Sequence, residues 1–276
     1  MRVAVVGHVE WIHFGRVASI PAPGDIVHAT EAWEEPGGGG AIAAVQLAKL
    51  AGACDLFTAF GDDAIGARAI EELERLGVTV HAATRTGVPT RRAVTLIDRS
   101  GERTITTLGD RLQAAGSDVL PWTTLDEADA VYICAGDAEA FRWARRARLM
   151  VVTARALDLL EASRAHADVV VGSARDPAER VDLARFETPP SIVVRTEGRD
   201  GGEFEGPHGA RRFAAAPLPG PLVDTYGCGD SFAAGLTFAL GEGRSLPEAL
   251  DLAARCGAAC AAGRGPYAGQ LSEAHD

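Results

Sequence analysis

Asp224-Thr225-Tyr226-Gly227-Cys228-Gly229-Asp230 runs directly into Ser231-Phe232-Ala233-Ala234-Gly235-Leu236, which sets a glycine-rich turn and a carboxylate at the start of an apparent helix. Gly227 and Gly229 can take backbone angles closed to other residues, so consecutive N–H groups can converge on an anion. A helix beginning there points the positive end of its dipole at the same spot. Asp230 then stands where a carboxylate could accept a proton from a hydroxyl as that hydroxyl attacks a phosphate. An ordinary strand-to-helix turn capped by Asp would use the same residue types, so the loop has to be read with its surroundings.

Gly37-Gly38-Gly39-Gly40-Ala41 precedes a second apparent helix carrying Val45, Leu47 and Leu50. Bare backbone there lets a ligand approach closely, and the helix start offers free N–H donors. Alone this is a flexible turn; paired with 224–230 it supplies the second of the two sites that phosphoryl transfer needs, one for acceptor and one for donor.

The elements that must position these loops follow from the hydrophobic pattern. Short runs rich in Val, Ile and Leu at 2–7, 54–60, 129–134, 149–153, 168–172 and 191–196 read as buried strands. Segments of helical period at 41–51, 63–76, 137–148, 155–165 and 176–185 lie between them, and two Ala-rich helices follow at 229–241 and 247–263. This alternation predicts a mostly parallel sheet covered by helices. Residues 8–35 and 85–108 break the rhythm. The second contains a hairpin with its turn at 99–101, and another hairpin spans 203–213. The strands at 8–35 and 85–108 read as a small β lid over one end of the sheet, or as a surface through which two copies pair.

Composition narrows the partners. The chain has 276 residues, is 47% hydrophobic and 24% charged, and carries a net charge of -11. That balance argues against nucleic acid and anionic membrane, both of which need a positive footprint. No apolar run approaches the roughly 20 residues that span a bilayer, and Met1–Gly7 reads as a first core strand, so a cytoplasmic protein is expected. Cys54, Cys134, Cys228, Cys256 and Cys260 show no zinc spacing and are expected as reduced thiols. Lys49 is the only lysine, which excludes a G-x-x-x-x-G-K-[ST] phosphate loop, and the chain has no asparagine.

Taken together, these residues resemble the ribokinase-like, or PfkB-type, family of carbohydrate and nucleoside kinases. Pro23-Gly24-Asp25, Gly37-Gly38, Ala44, Leu47 and Leu50-Ala51-Gly52 resemble the first family signature. Gly61-Asp62-Asp63, Gly66, Leu76-Gly77-Val78, Thr90 and Gly101-Glu102-Arg103 follow in family order, and 224–232 matches the second signature, D-T-x-G-[AC]-G-D-x-F. The resemblance spans almost the whole chain. It implies one ribokinase-like three-layer α/β domain over 1–276, with a β lid from about 8–35 and 85–108.

The resemblance also implies an ATP-dependent phosphotransferase with a small carbohydrate or sugar acid as acceptor. Asp230 would be the general base, and the amides of Gly227, Cys228 and Gly229 the anion hole. Gly38 and Gly39 would face the acceptor, with Ile42 in a place where the family has Asn and Glu10 the nearest carboxylate to the family's missing first-loop Asp. Apart from the resemblance, Arg91-Arg92 begins one lid strand and Asp110-Arg111 follows the other, so one guanidinium, with Arg92 the candidate, could reach an anionic acceptor such as a sugar acid or sugar phosphate. Thr196, Gly198, Gly201 and Thr225 would line the nucleotide site, and Asp176 would hold Mg²⁺ through water. A monovalent cation and a lid-mediated homodimer are further implied options. Trp11, His13 and Trp33 could stack on a substrate ring, which leaves a nucleoside kinase open. Ile42 and Ser173, where the family is polar, leave open a silent sugar- or nucleotide-binding protein.

Overall fold

The computed structural model describes residues 1–272, so residues 273–276 of the expected domain lie outside it. In chain order the first elements are β1 (Val3–Val6), β2 (Glu10–Arg16), β3 (Glu31–Gly37), α1 (Gly39–Ala51), β4 (Cys54–Gly61), α2 (Ala64–Arg75) and β5 (Val78–Arg85). Then come β6 (Arg92–Ile97), β7 (Arg103–Leu108), β8 (Ala130–Ile133), α3 (Ala138–Ala144), β9 (Met150–Thr153), α4 (Leu157–Ser163) and β10 (Val169–Ser173). The last are β11 (Ile192–Thr196), β12 (Gly202–Gly206), β13 (Gly209–Phe213), α5 (Cys228–Gly241) and α6 (Leu246–Ala261).

Nine strands form one sheet in the order β13-β12-β11-β10-β9-β8-β1-β4-β5, parallel except where β12 and β13 join antiparallel at one edge. Central strands such as β1 and β8 are buried at every position, as expected where helices cover both faces. Alternation decides which layer each residue fills. Val3 and Val5 pack with α1, α2, α5 and α6, whereas Ala4 and Val6 pack with α3, α4 and Trp122. The result is the mostly parallel, helix-covered sheet that the pattern predicted, in the three-layer form that the family resemblance implied, with α1 and α5 side by side on one face.

A second, four-stranded sheet has the order β3-β2-β6-β7 and is the lid. Its hairpin turns at Asp98–Glu102, where Asp98 accepts the N–H groups of Ser100 and Glu102, at 2.8 and 3.2 Å. Two expectations need correction. Residues 176–185 are not an α-helix but two single 3₁₀ turns, Pro177–Glu179 and Leu183–Arg185, with Asp176 and Asp182 capping them. β5 was not anticipated, because as an edge strand it is only partly buried and has no continuous apolar run.

The C-terminal ends of β1 and β8 and the first turn of α1 meet with almost no side chain between them. A Cβ on Gly7 would lie 2.5 Å from Gly40 Cα and 2.7 Å from Cys134 Sγ. Gly40 donates its N–H to the His8 carbonyl at 3.1 Å, which locks α1 to the end of β1. Gly7→Ala should therefore destabilise the protein by about 1–3 kcal/mol, as overpacking does. A urea unfolding midpoint equal to that of the wild type would show that this close approach is not required.

Candidate active site

α5 begins at Cys228 behind Gly227, which adopts a left-handed conformation at φ 82°, and no side chain caps the helix. Its first N–H groups are thus left for a ligand. Asp224 shapes this turn from beneath: it is buried, one carboxyl oxygen accepts the Tyr226 N–H at 3.1 Å and the other accepts Gly265 N–H at 2.9 Å. Burial pushes this carboxyl up against the pull of those two donors. Gly227 has Ile42 and Pro266 atoms 3.1 Å from where a Cβ would be, whereas Gly229 faces open space. Bare backbone is thus presented to the cleft at Gly229 and packed against at Gly227.

Asp230, in the first turn of α5, reaches across to the start of α1. A Cβ on Gly39 would stand 2.8 Å from Asp230 Oδ1 and 3.4 Å from Cys134 Sγ. The glycine-rich turn and the carboxylate therefore share one point in space. Desolvation is the largest influence on Asp230 and pushes its pKa up to about 6; Arg103 and Arg155 oppose the rise, while Glu179 and Glu10 add to it. A carboxylate held there is a competent base near neutral pH, yet is not extensively protonated.

Across from α5, on the side expected to face the acceptor, Glu10 opens β2, nearly buried, with Arg91 Nε 3.3 Å from its Oε2. Tyr226 ties the Gly38 turn to the start of α5, because its buried hydroxyl accepts Gly38 N–H at 3.2 Å. Arg92 does not join the group. Strand alternation exposes it near Asp63 and turns Arg91 inward. Ile42 is also not at the cleft surface; it is wholly buried and packs beneath Gly227. The lid aromatics are engaged elsewhere. Trp33 stacks on Phe14 at 4.8 Å, Trp11 is buried under Arg68 at 4.3 Å, and His13 pairs with Glu34 at 2.9 Å.

The lid is clasped to the 224–230 turn. Thr225 donates its N–H to the Gly101 carbonyl at 3.0 Å, and its hydroxyl receives Arg103 Nη1 at 3.2 Å. Arg16 adds a bond to the Val223 carbonyl at 3.2 Å. Thr225, expected to line the nucleotide site, is thus the latch for the lid tip. Thr196 ends β11 and donates to the Gly172 carbonyl at 3.3 Å, and the turn after it closes through Glu197 N–H to Gly201 O at 2.7 Å. Gly201 is packed rather than open, since a Cβ there would be 2.2 Å from Phe213 O. Gly198, at φ 65°, lies against Arg175.

The residues expected near Mg²⁺ do not form a direct ligand set. Asp176 is ion-paired with Arg155 and caps the Ala178 N–H at 2.9 Å. Glu179 pairs with Arg155 at 2.7 Å and accepts Ser173 N–H at 2.6 Å. Among the described residues no group of three or more His, Cys, Asp or Glu side chains could hold a metal. Arg155 and Glu179, which act electrostatically on Asp230, were missed in the sequence because they lie 75 and 51 residues from it (230 − 155 and 230 − 179). Only the position of Glu179, three residues after Asp176, gave a hint. Among the described residues no helix is long and apolar enough to cross a membrane.

Comparison with known proteins gives this geometry a family. The model of the pfkB family carbohydrate kinases matches residues 1–273. An ATP-dependent ribose-1-phosphate kinase of Halopiger xanaduensis is 28% identical over 292 residues, which cover 99% of this chain and 96% of that protein. A ribokinase of Thermotoga maritima has the same fold at a TM-score of 0.78 and 23% identity, over 99% of this chain and 96% of its own. The Arabidopsis thaliana ribokinase complexed with ribose and ATP has a TM-score of 0.75 at 21% identity, over 98% and 96% of the two chains. The glycine-flanked Asp230 turn thus sits in a chain matched from end to end, and the protein belongs to the pfkB family of carbohydrate kinases.

Proposed function

We propose that the protein transfers the γ-phosphoryl group of ATP to a hydroxyl of a small carbohydrate, with Asp230 as the general base. The observation that carries this reading is the approach of Asp230 to Gly39, at the crossing of two helix starts. A hydroxyl lying over Gly38 and Gly39 would meet the carboxylate directly. Asp230 takes the hydroxyl proton, the oxygen forms the new bond to the γ-phosphorus, and the bond to the bridging oxygen of the β-phosphate breaks to release ADP. The free amides of Cys228 and Gly229 face the charge on the transferred group, and Arg103 is close enough to affect both Asp230 and Cys228. Asp176 and Glu179, both held by Arg155, would stand near Mg²⁺ carried on the nucleotide phosphates and would bind it through water, and the ion would neutralise charge on the donor phosphates.

The named activity of the Halopiger relative and the ribose and ATP of the Arabidopsis complex support a carbohydrate acceptor and an ATP donor. A nucleoside acceptor loses its main support, because the lid aromatics that would stack on a base are occupied by Phe14, Arg68 and Glu34. A silent binding protein would have no use for a carboxylate held near pH 6 beside uncapped helix amides. The lid presents Val94, Ile105 and Leu108 to solvent, which supports pairing with a second copy of the chain.

Asp230→Asn should lower kcat by about 10²–10⁴-fold, the usual contribution of a positioned base. Its stability should not fall: the folded pKa of Asp230 is raised, so its ionised form opposes folding as pH rises through about 6, and the amide removes that penalty. Undiminished phosphotransfer in Asp230→Asn would rule out its role as base. For the wild type, kcat/KM should lose its activity as pH falls through about 6, where the carboxylate becomes protonated. A flat profile from pH 5 to 8 would contradict the assignment.

A further inference from the structure

Among the described residues, eight buried side-chain polar atoms have no hydrogen-bond partner, and three of them, His8 Nδ1, Glu10 Oε2 and Arg91 Nε, lie together at the acceptor side. Folded proteins leave few such atoms unpaired, so a cluster of them marks a place where the missing partner is a ligand. Glu10 and Arg91 face each other at 3.3 Å without hydrogen-bond geometry, with side chains only 9% and 13% exposed. His8 follows β1 and lies against the diglycine turn, with its ring Cδ2 3.0 Å from where a Cβ on Gly38 would stand. Burial and two nearby arginines push its pKa down to about 3, so the ring is neutral and offers one donor and one acceptor.

The second arginine in that field is Arg111. It lies on the connection after β7, which is fastened by buried Leu112 and Ala114 and by Gln113 Nε2 donating to the Gly136 carbonyl at 2.9 Å. This fastening brings the connection over the end of β8, beside Cys134. From there Arg111 acts on His8, Glu10 and Cys134 together, yet among the described residues it forms no ion pair and its side chain is exposed. Glu10 is already matched by Arg91, and Asp230, which shares the field at Cys134, is turned toward Gly39. Arg111 is therefore a guanidinium with no fixed ion-pair partner among the described residues, at the mouth of the acceptor site in a chain of net charge -11.

We propose that the acceptor carries its own anionic group, a phosphate or a carboxylate, bound by Arg111 with Arg91 behind it, while its hydroxyls complete the hydrogen bonding of Glu10 and His8. This rests on the kinase reading above and names the class of acceptor within it. A guanidinium meets either anion with paired N–H donors, and the hydroxyls supply the donors that a buried carboxylate needs. A neutral sugar would satisfy Glu10 and His8 but leave the Arg111 charge unused.

The test compares ribose, ribose 1-phosphate, ribose 5-phosphate and gluconate as acceptors, with Mg·ATP, for the wild type, Arg111→Gln and Arg111→Lys. The wild type should prefer one of the three anionic sugars over ribose by about tenfold or more in kcat/KM, and which of the three it prefers separates phosphate from carboxylate recognition. Arg111→Gln should lower that preference about tenfold through the acceptor KM with the KM for ATP unchanged, and Arg111→Lys should restore part of it. Equal turnover of ribose and the anionic sugars, or an equal loss for all acceptors in Arg111→Gln, would overturn the proposal. Calorimetry of ribose 1-phosphate and gluconate binding to Asp230→Asn separates the two readings. Arg111-dependent binding without any turnover by the wild type would refute the kinase reading and keep this one, whereas turnover of ribose alone would keep the kinase reading and refute this one.

Discussion

Everything at the site depends on two helix starts being brought to one point. α1 and α5 both begin at the end of the parallel sheet where loops leave the strands, and the carboxyl oxygen of Asp230 comes within van der Waals reach of the Gly39 backbone. That approach is possible only because Gly7, Gly39 and Gly40 put no side chains there; at each of them a Cβ would collide with a neighbour. It also removes water from the carboxylate. Desolvation then raises its pKa to about 6 while Arg103 and Arg155 restrain the rise. The same tight packing that holds the fold together tunes the Asp230 carboxyl.

The lid belongs to this arrangement rather than being an appendage. Its hairpin tip meets the anion-hole turn through Thr225, Gly101 and Arg103, and its other end supplies Glu10 and the Gly37–Gly38 turn. Tyr226 joins both, since its main chain is in the anion-hole turn and its hydroxyl receives Gly38 N–H. A shift of the lid therefore bears on the Gly37–Gly38 turn and on the 224–230 turn at once, through the same few hydrogen bonds.

The sheet, the lid and the Asp230 turn were legible in the sequence because each leaves a local trace. Buried parallel strands read as continuous Val and Ile runs, hairpins as alternation around a polar turn, and the start of α5 as a carboxylate inside a glycine motif. What was not legible depends on contacts between distant residues. The 3₁₀ turns at 177–185 keep enough helical period to look like a helix, yet Asp176 and Asp182 each start a new turn, and the chain returns to extended backbone at Arg180 and Phe186 after three residues. Which of Arg91 and Arg92 points inward is set by how β6 pairs with β2, and nothing in the sequence fixes that pairing. Ile42 stands at a family ligand position in the sequence but packs under Gly227, because its place on α1 faces the core.

The most direct test of the central claim, that this crossing of helix starts transfers phosphoryl groups to carbohydrate hydroxyls, is a ³¹P spectrum of the purified protein with Mg·ATP and a mixture of sugars, sugar acids and sugar phosphates. The account predicts loss of the γ-phosphate signal with matching growth of ADP and one new phosphomonoester, only when an acceptor is present. Unchanged ATP, or release of inorganic phosphate alone, would contradict it.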